Sequence, residues 1–308
     1  MTIQPSYLTD TARSRHAASP HALQVALLHL NRERLTPGTP CDDWREDILC
    51  LAQLSLREGE FLESERRAVA QQAAEAPREA SAFVHWFESL REHGPGQFDP
   101  LFDFLAERAS LEQVRWFVEQ EVAGEAGFDD LVALTQLRLP ERPKLELARN
   151  YWDEMGRGKP LGMHGPMLGR LAEALDACAS DPCRIVWEAL AVGNLLAGLA
   201  YNRRYAWHSL GALGAVELTA PTRAVKVVQA LERVGLDGEA VHYFKLHSTI
   251  DVVHWEGWRD EALVPVLAQQ PELAPMIAEG ALMRLVAGAR TFERYRRELS
   301  RTPAPARS

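Results

Sequence analysis

Tyr243-Phe-Lys-Leu-His247-Ser-Thr-Ile-Asp251-Val-Val-His254-Trp255 reads as a helical stretch that carries two imidazoles and a carboxylate on one face. Successive helical residues rotate by about 100°, so positions 247, 251 and 254 fall within roughly 60° of one another. Neutral imidazole and carboxylate are donors that divalent iron, manganese or zinc accept, and the stretch offers no soft thiolate. In a chain of 308 residues with 10 His, His-x3-Asp-x2-His arises by chance about 0.015 times. Tyr243, Phe244, Trp255 and Trp258 share the segment, which argues for an inward-facing group rather than a surface charge cluster.

Working outward, helical periodicity dominates and no run of alternating β-branched residues interrupts it, so the expected fold class is all-α. The spacing predicts helices over 21–35, 42–60, 64–76, 79–91, 99–108, 111–138, 144–156, 163–178, 182–217, 220–234, 237–258, 260–268 and 272–299. Short connectors favour antiparallel neighbours in an up-and-down bundle. The break Glu92-His-Gly-Pro-Gly-Gln97 separates an N-terminal helical region, 1–97, from a helical domain over 98–300. Residues 1–20 and 301–308 read as loose tails.

The balance of 34 basic against 43 acidic residues, a formal charge of −9, argues against nucleic acid or an anionic membrane as partner. No apolar run approaches the ~20 residues of a membrane span. Cys41, Cys50, Cys178 and Cys183 are few, and Asp10, Arg13, Arg15 and His16 precede any apolar run. A cytoplasmic protein with a small-molecule partner is therefore expected. Cys178-x4-Cys183 lacks the second pair that a zinc site needs. No dinucleotide fingerprint, phosphate loop, nucleophile elbow or His-Glu-x-x-His supports another enzyme class.

A bundle builds a metal site from several helices, and two further stretches offer ligands. Asn150-Tyr-Trp-Asp153-Glu154-Met-Gly-Arg-Gly-Lys-Pro-Leu-Gly-Met-His164 ends an aromatic-rich helix in glycines before a His. Gly211-Ala-Leu-Gly-Ala-Val-Glu217-Leu-Thr-Ala-Pro221 carries a lone carboxylate after a long apolar run; Glu217 either turns outward or meets a cation. Asp153 is open to a supporting or surface role, or to an exchange of place with Glu154.

In the order and spacing of Glu154, His164, Glu217, His247, Asp251 and His254, the chain resembles the haem-oxygenase-like di-iron oxidases and oxygenases, the iron-containing redox enzymes. The Asp-Glu-Met-Gly-x-Gly turn with its following Met-His, and Tyr-Phe-x-x-His, belong to the same resemblance, which covers roughly residues 100–270. It implies a haem-oxygenase-like bundle with an N-terminal helical extension, and those six residues as ligands of two Fe(II) ions. O2 would be the co-substrate in oxidation of a small organic molecule. N-oxygenation of an amine or amino acid, or oxidative C-C cleavage or desaturation, often in natural-product pathways, are the implied reactions. A reductase or other reductant is an expected partner, and the N-terminal helices are open either to forming a homodimer or to covering the active site.

Members that oxygenate nitrogen recruit one more carboxylate from the preceding helix, which in this chain offers Glu121 or Glu125. Tyr201-Asn-Arg203-Arg204-Tyr205 precedes Glu217, and Arg203 or Arg204 with Tyr205 is the expected clamp for a substrate carboxylate, against the simpler reading of a solvent-facing pair. Three alternatives differ in what they need. A haem-degrading relative needs one axial His, a thiamin-degrading relative a nucleophilic Cys, and a helical binding or regulatory module no reactive centre.

Overall fold

The computed structural model describes residues 19–40, 42–124, 127–177 and 181–301; among them the structure is helical, with one isolated β-bridge and no strand. Most of the expected tails, together with Cys41, Glu125 and Cys178, lies outside the described residues. The all-α expectation holds.

Capping chemistry sets several helix starts. Ser19 Oγ accepts from the Ala22 amide to open α1 (Pro20–Leu35), with Pro20 in the first turn where no amide is needed. Helix α2 (Trp44–Ala73) is continuous through the expected stop near residue 60. The buried stripe Leu54, Phe61, Leu62, Val69 and Ala73 carries it, since packing outweighs the ~1 kcal/mol helix penalty of Gly59. Glu79 caps α3 (Ala80–His93) and Asp99 caps α4 (Pro100–Glu107). Then follow α5 (Leu111–Gly124) and α6 (Phe128–Thr135), one helix in the expectation; Gly127, at φ +70°, precedes the new start. Next come α7 (Glu141–Glu154) and α8 (His164–Ala174).

Helix α9 (Trp187–Tyr201) buries every residue from Glu188 to Ala200 and is the central element. It packs against α1, α5, α10 (Ala206–Arg233) and α14 (Ala274–Arg301). Leu27, Leu30, Leu54 and Leu62 of the N-terminal helices join one apolar cluster with Leu195, Leu199 and Leu282. Asn31 Nδ2 donates to Asn194 Oδ1 at 2.9 Å, and the buried Arg34–Glu58 pair closes at 2.7 Å. Such buried polar pairs fix the register of α1 and α2 on the core.

Helices α10 and α14 cross with their backbones in contact. A Cβ on Gly211 would lie 1.9 Å from the Ile277 carbonyl oxygen, and one on Gly280 would lie 1.8 Å from that of His208. Only glycine permits this approach. The expected helix over 182–217 breaks instead at Asn202, whose side chain accepts from the Arg204 amide, and α10 passes through Pro221. Proline there removes the amide that would have bonded the Glu217 carbonyl, and its ring crowds that carbonyl. The expected helix over 237–258 is two, α11 (Glu239–His247) and α12 (Ile250–Gly257). Ser248 Oγ and Thr249 Oγ1 donate to the carbonyls of Lys245 and Leu246, competing with the helix for its own acceptors. A π-helical turn, Trp258–Leu263, leads into α13 (Val264–Gln269).

Candidate metal centre

Glu154 ends α7 and His164 begins α8, and the chain between them is folded back on itself. Gly156, Arg157 and Gly158 all take positive φ, and a Cβ on Gly156 would lie 2.3 Å from the Gly162 carbonyl carbon. Met155 and Met163 pair as the isolated bridge, and Arg157 Nε donates to Asp153 Oδ1 at 2.5 Å. The hairpin brings His164 Nδ1 within 2.6 Å of Glu154 Oε2.

Glu217 reaches the same place from α10. Its Oε1 accepts from Asn150 Nδ2 at 2.6 Å, and its Oε2 lies 3.4 Å from His254 Nδ1. His254 Nδ1 is also 3.9 Å from Glu154 Oε1, while its Nε2 lies 3.5 Å from Asp153 Oδ2. His247 Nδ1 donates to the Tyr243 carbonyl at 2.7 Å, which leaves Nε2 with the lone pair. Its ring meets the His164 ring edge-on, centroids 4.6 Å apart.

Two donor groups result: Glu154, His164 and His247, and Glu154, Glu217 and His254, each with ligand atoms within 4.8 Å of one another. Glu154 belongs to both. His164 Nδ1 and His254 Nδ1, the nitrogens that face the Glu154 and Glu217 carboxylates, are buried without a hydrogen-bond partner. Close approach without hydrogen-bond geometry is what lone pairs directed at a common cation produce. An all-oxygen-and-nitrogen donor set of this kind suits divalent iron, and the residues of either group fit such an ion.

The electrostatics agree. Burial, then the neighbouring Glu217 charge, raises the Glu154 carboxyl well above the ordinary range. Burial pushes His164 and His247 down to about 4, so both are neutral at neutral pH and present lone pairs. Burial also pulls on His254, but Glu217, Glu154 and Asp153 outweigh it and raise that imidazole to about 9. A cation among these carboxylates would reverse both effects.

Asp251, the sixth expected ligand, is buried and lines the adjoining cavity but belongs to neither donor group. Its charge acts on Arg223. Glu121 also lines the cavity, outside both groups, and accepts from Tyr295 Oη at 3.1 Å. Arg203 is turned away: it donates to the carbonyls of Leu134, Thr135 and Leu137, closing the end of α6. Arg204 is exposed, and Tyr205 Oη donates to Glu63 at 2.7 Å. None of these three lines the cavity, so the expected clamp gives way to helix-end and interhelical roles.

The sequence reading missed Arg223 and Arg284, which do line the cavity. Expecting a break between 217 and 220 put Arg223 on a different helix from Glu217; in the continuous α10, Val216, Glu217, Ala220, Arg223, Ala224 and Val227 form one wall. Asn150, which holds Glu217, was quoted in the hairpin stretch without a role.

Residues 115–289 match the model of a family described as iron-containing redox enzyme, and the chain belongs to that family. A solved CADD-like protein of unknown function from Nostoc punctiforme PCC 73102 shares the fold. It is 20% identical, with a TM-score of 0.51 over 79% of this chain and 99% of that one. No curated protein matches the chain. No helix among the described residues is long and apolar enough to cross a membrane.

Proposed function

We propose that the protein is a non-haem di-iron oxidase or oxygenase that uses O2 to oxidise a small organic substrate. The observation that carries this reading is Glu154, shared by two donor groups whose remaining members are His164 with the half-buried His247, and Glu217 with His254. One closed structural zinc would need four ligands around one point, whereas two open three-donor groups leave positions for O2. Two ferrous ions would supply two electrons to O2.

The chain's own residues do the rest. Asn150 orients Glu217, the Tyr243 carbonyl fixes the His247 tautomer, and Asp153 stands behind His254. Asp251 lies on the cavity wall, where it is the further carboxylate available to the centre. Phe102, Phe117, Phe128 and Phe244 line the cavity, of about 130 Å³, and limit the access of bulk water to it. Among the described residues no Cys lines it, which favours this reading over thiamin degradation by a nucleophilic thiol.

The test is to load the protein with Fe(II) under argon, mix it rapidly with O2 and record Mössbauer spectra. A pair of coupled ferric ions formed with O2 uptake supports the proposal. Bound iron that stays ferrous in air rejects it.

A further inference from the structure

We propose that the outer face of α7 and of the hairpin between Glu154 and His164 is the docking surface for a small acidic electron-transfer protein, which returns electrons to the centre beneath it. The inference rests on the di-iron reading for its purpose, while the surface itself needs no metal. Under that reading each turnover leaves the centre two electrons short. Two one-electron carriers, each oxidised once, restore them by reducing two ferric ions to two ferrous ions.

The apolar centre of this face comes from α7 and the hairpin together. Leu145, Arg149 and Trp152 follow one another at i, i+4 and i+7, so they share one side of α7. Leu145 and Trp152 are 59% and 54% exposed, and Leu161 on the hairpin is 75% exposed. The Trp152 ring lies against the hairpin, since a Cβ on Gly158 would come within 3.0 Å of it. Arg170 of α8 joins the same face by donating to the Leu161 carbonyl at 2.9 Å. Large apolar groups gathered in the open and rimmed by cations are the make-up of a protein-binding surface, where Trp and Arg carry most of the binding energy.

Charge selects the partner. The chain has a formal charge of −9, yet over 144–170 its carboxylates are Glu146 and Glu154, both buried, and Asp153, half-buried and held by Arg157. Arg149 matches Glu146 at 2.5 Å, and beyond these pairs Lys144, Lys159 and Arg170 give the stretch an excess of positive charge. Arg142, paired with Glu261 of the π-helical turn at 2.8 Å, marks the edge. An acidic protein is steered to this face in an orientation that the net charge of the chain disfavours elsewhere. Position selects electron transfer over delivery of a tethered substrate. Trp152 is two residues from Glu154 and Met163 adjoins His164, so the face lies over two of the candidate ligands. Glu154 lines the cavity but none of residues 155–163, all of them described, does. A partner seated on the hairpin is therefore close to the centre and apart from the cavity.

The test is calorimetric titration of the full chain, apo and Fe(II)-loaded under argon, with a plant-type ferredoxin, a flavodoxin and an acyl carrier protein, the last acidic but without a redox group. At least one electron carrier is expected to bind both forms of the chain and to lose about tenfold or more in affinity as salt is raised. The double variant Lys144→Glu with Lys159→Glu, at two exposed positions that hold no ligand, should cost about as much, with circular dichroism and iron stoichiometry unchanged. Trp152→Ala should weaken binding and leave its salt dependence in place. A kinetic readout accompanies the binding: reduced ferredoxin or flavodoxin should reduce the ferric protein more slowly in the double variant, whereas reduced methyl viologen, a small cation that needs no docking, should not be slowed. Binding of neither electron carrier, binding untouched by the double variant, or tighter binding of the acyl carrier protein than of both electron carriers overturns the proposal. Carrier binding that the double variant loses, in a protein that takes up no iron, would keep the docking surface and reject the di-iron reading. Iron uptake and oxidation by O2 without carrier binding would do the reverse.

Discussion

Glu154 Oε2 lies 2.6 Å from His164 Nδ1, although ten positions separate the two residues and each belongs to a different helix. The contact depends on a hairpin that only glycine at 156 permits, because any Cβ there collides with the backbone of Gly162. Gly156→Ala is therefore expected to open the hairpin and cost the nearer donor group. Ferrous titration should find iron stoichiometry reduced to about half or less, with the helical circular dichroism signal retained. Full stoichiometry in this variant would show that the hairpin does not set the site.

Asp153 stands 3.5 Å behind His254 Nε2 and is itself held by Arg157. A carboxylate in that position orients an imidazole and raises its basicity as a ligand. Asp153→Asn should leave the number of irons unchanged and weaken the affinity of at least one by roughly 10- to 100-fold, as carboxylates behind metal-bound histidines generally do. Competition with a chromophoric chelator measures it. Loss of a whole iron would instead make Asp153 a ligand.

The α10–α14 crossing holds the helix that presents Glu217. Gly211→Ala must separate two backbones that now touch, since its Cβ would lie 1.9 Å from the Ile277 carbonyl oxygen. Overpacking of this kind costs about 1–3 kcal/mol or more. Thermal unfolding should show a fall in Tm of several degrees, while Gly169→Ala, where a Cβ meets nothing within 4 Å, should not lower it.

Glu63 ties α2 to the core by accepting from Tyr205 Oη, and the hydrogen bonds from Arg66, on its own helix, and from Tyr205 hold its carboxyl down at about 2, below the ordinary 4.5. A depressed carboxyl contributes stability above its unfolded pKa and loses it as pH falls through the folded value. Glu63→Gln should thus be less stable than the parent at pH 7, with the difference closing between about pH 4.5 and pH 2. Urea titrations across that range check the sign; a constant difference would show that the hydrogen bonds do not depend on the charge.

Much of this was readable before any coordinates. Helical periodicity gave the fold class, residue type with spacing singled out His247 and His254, and the family resemblance added Glu154, His164 and Glu217; the structure gathers all five. What was not readable depended on contacts remote in sequence. The helix break at Ser248 and Thr249 comes from hydroxyls that take the carbonyls one turn back, a local effect hidden under a strong apolar pattern. Arg203 looked like a ligand-binding residue because nothing in the sequence shows that α6 ends beside it. Arg223 and Arg284 lie 61 positions apart, on two helices brought together by the glycines of their crossing, and no spacing rule connects them.

Two irons held through a shared Glu154, as proposed, are tested by ferrous titration of the metal-free protein under argon, followed by the same titration of Glu154→Ala. Saturation is expected at about two irons per chain in the parent, with loss of both tight sites in the variant, because each donor group loses a member. Saturation at one iron, or a variant that still binds two, would contradict it.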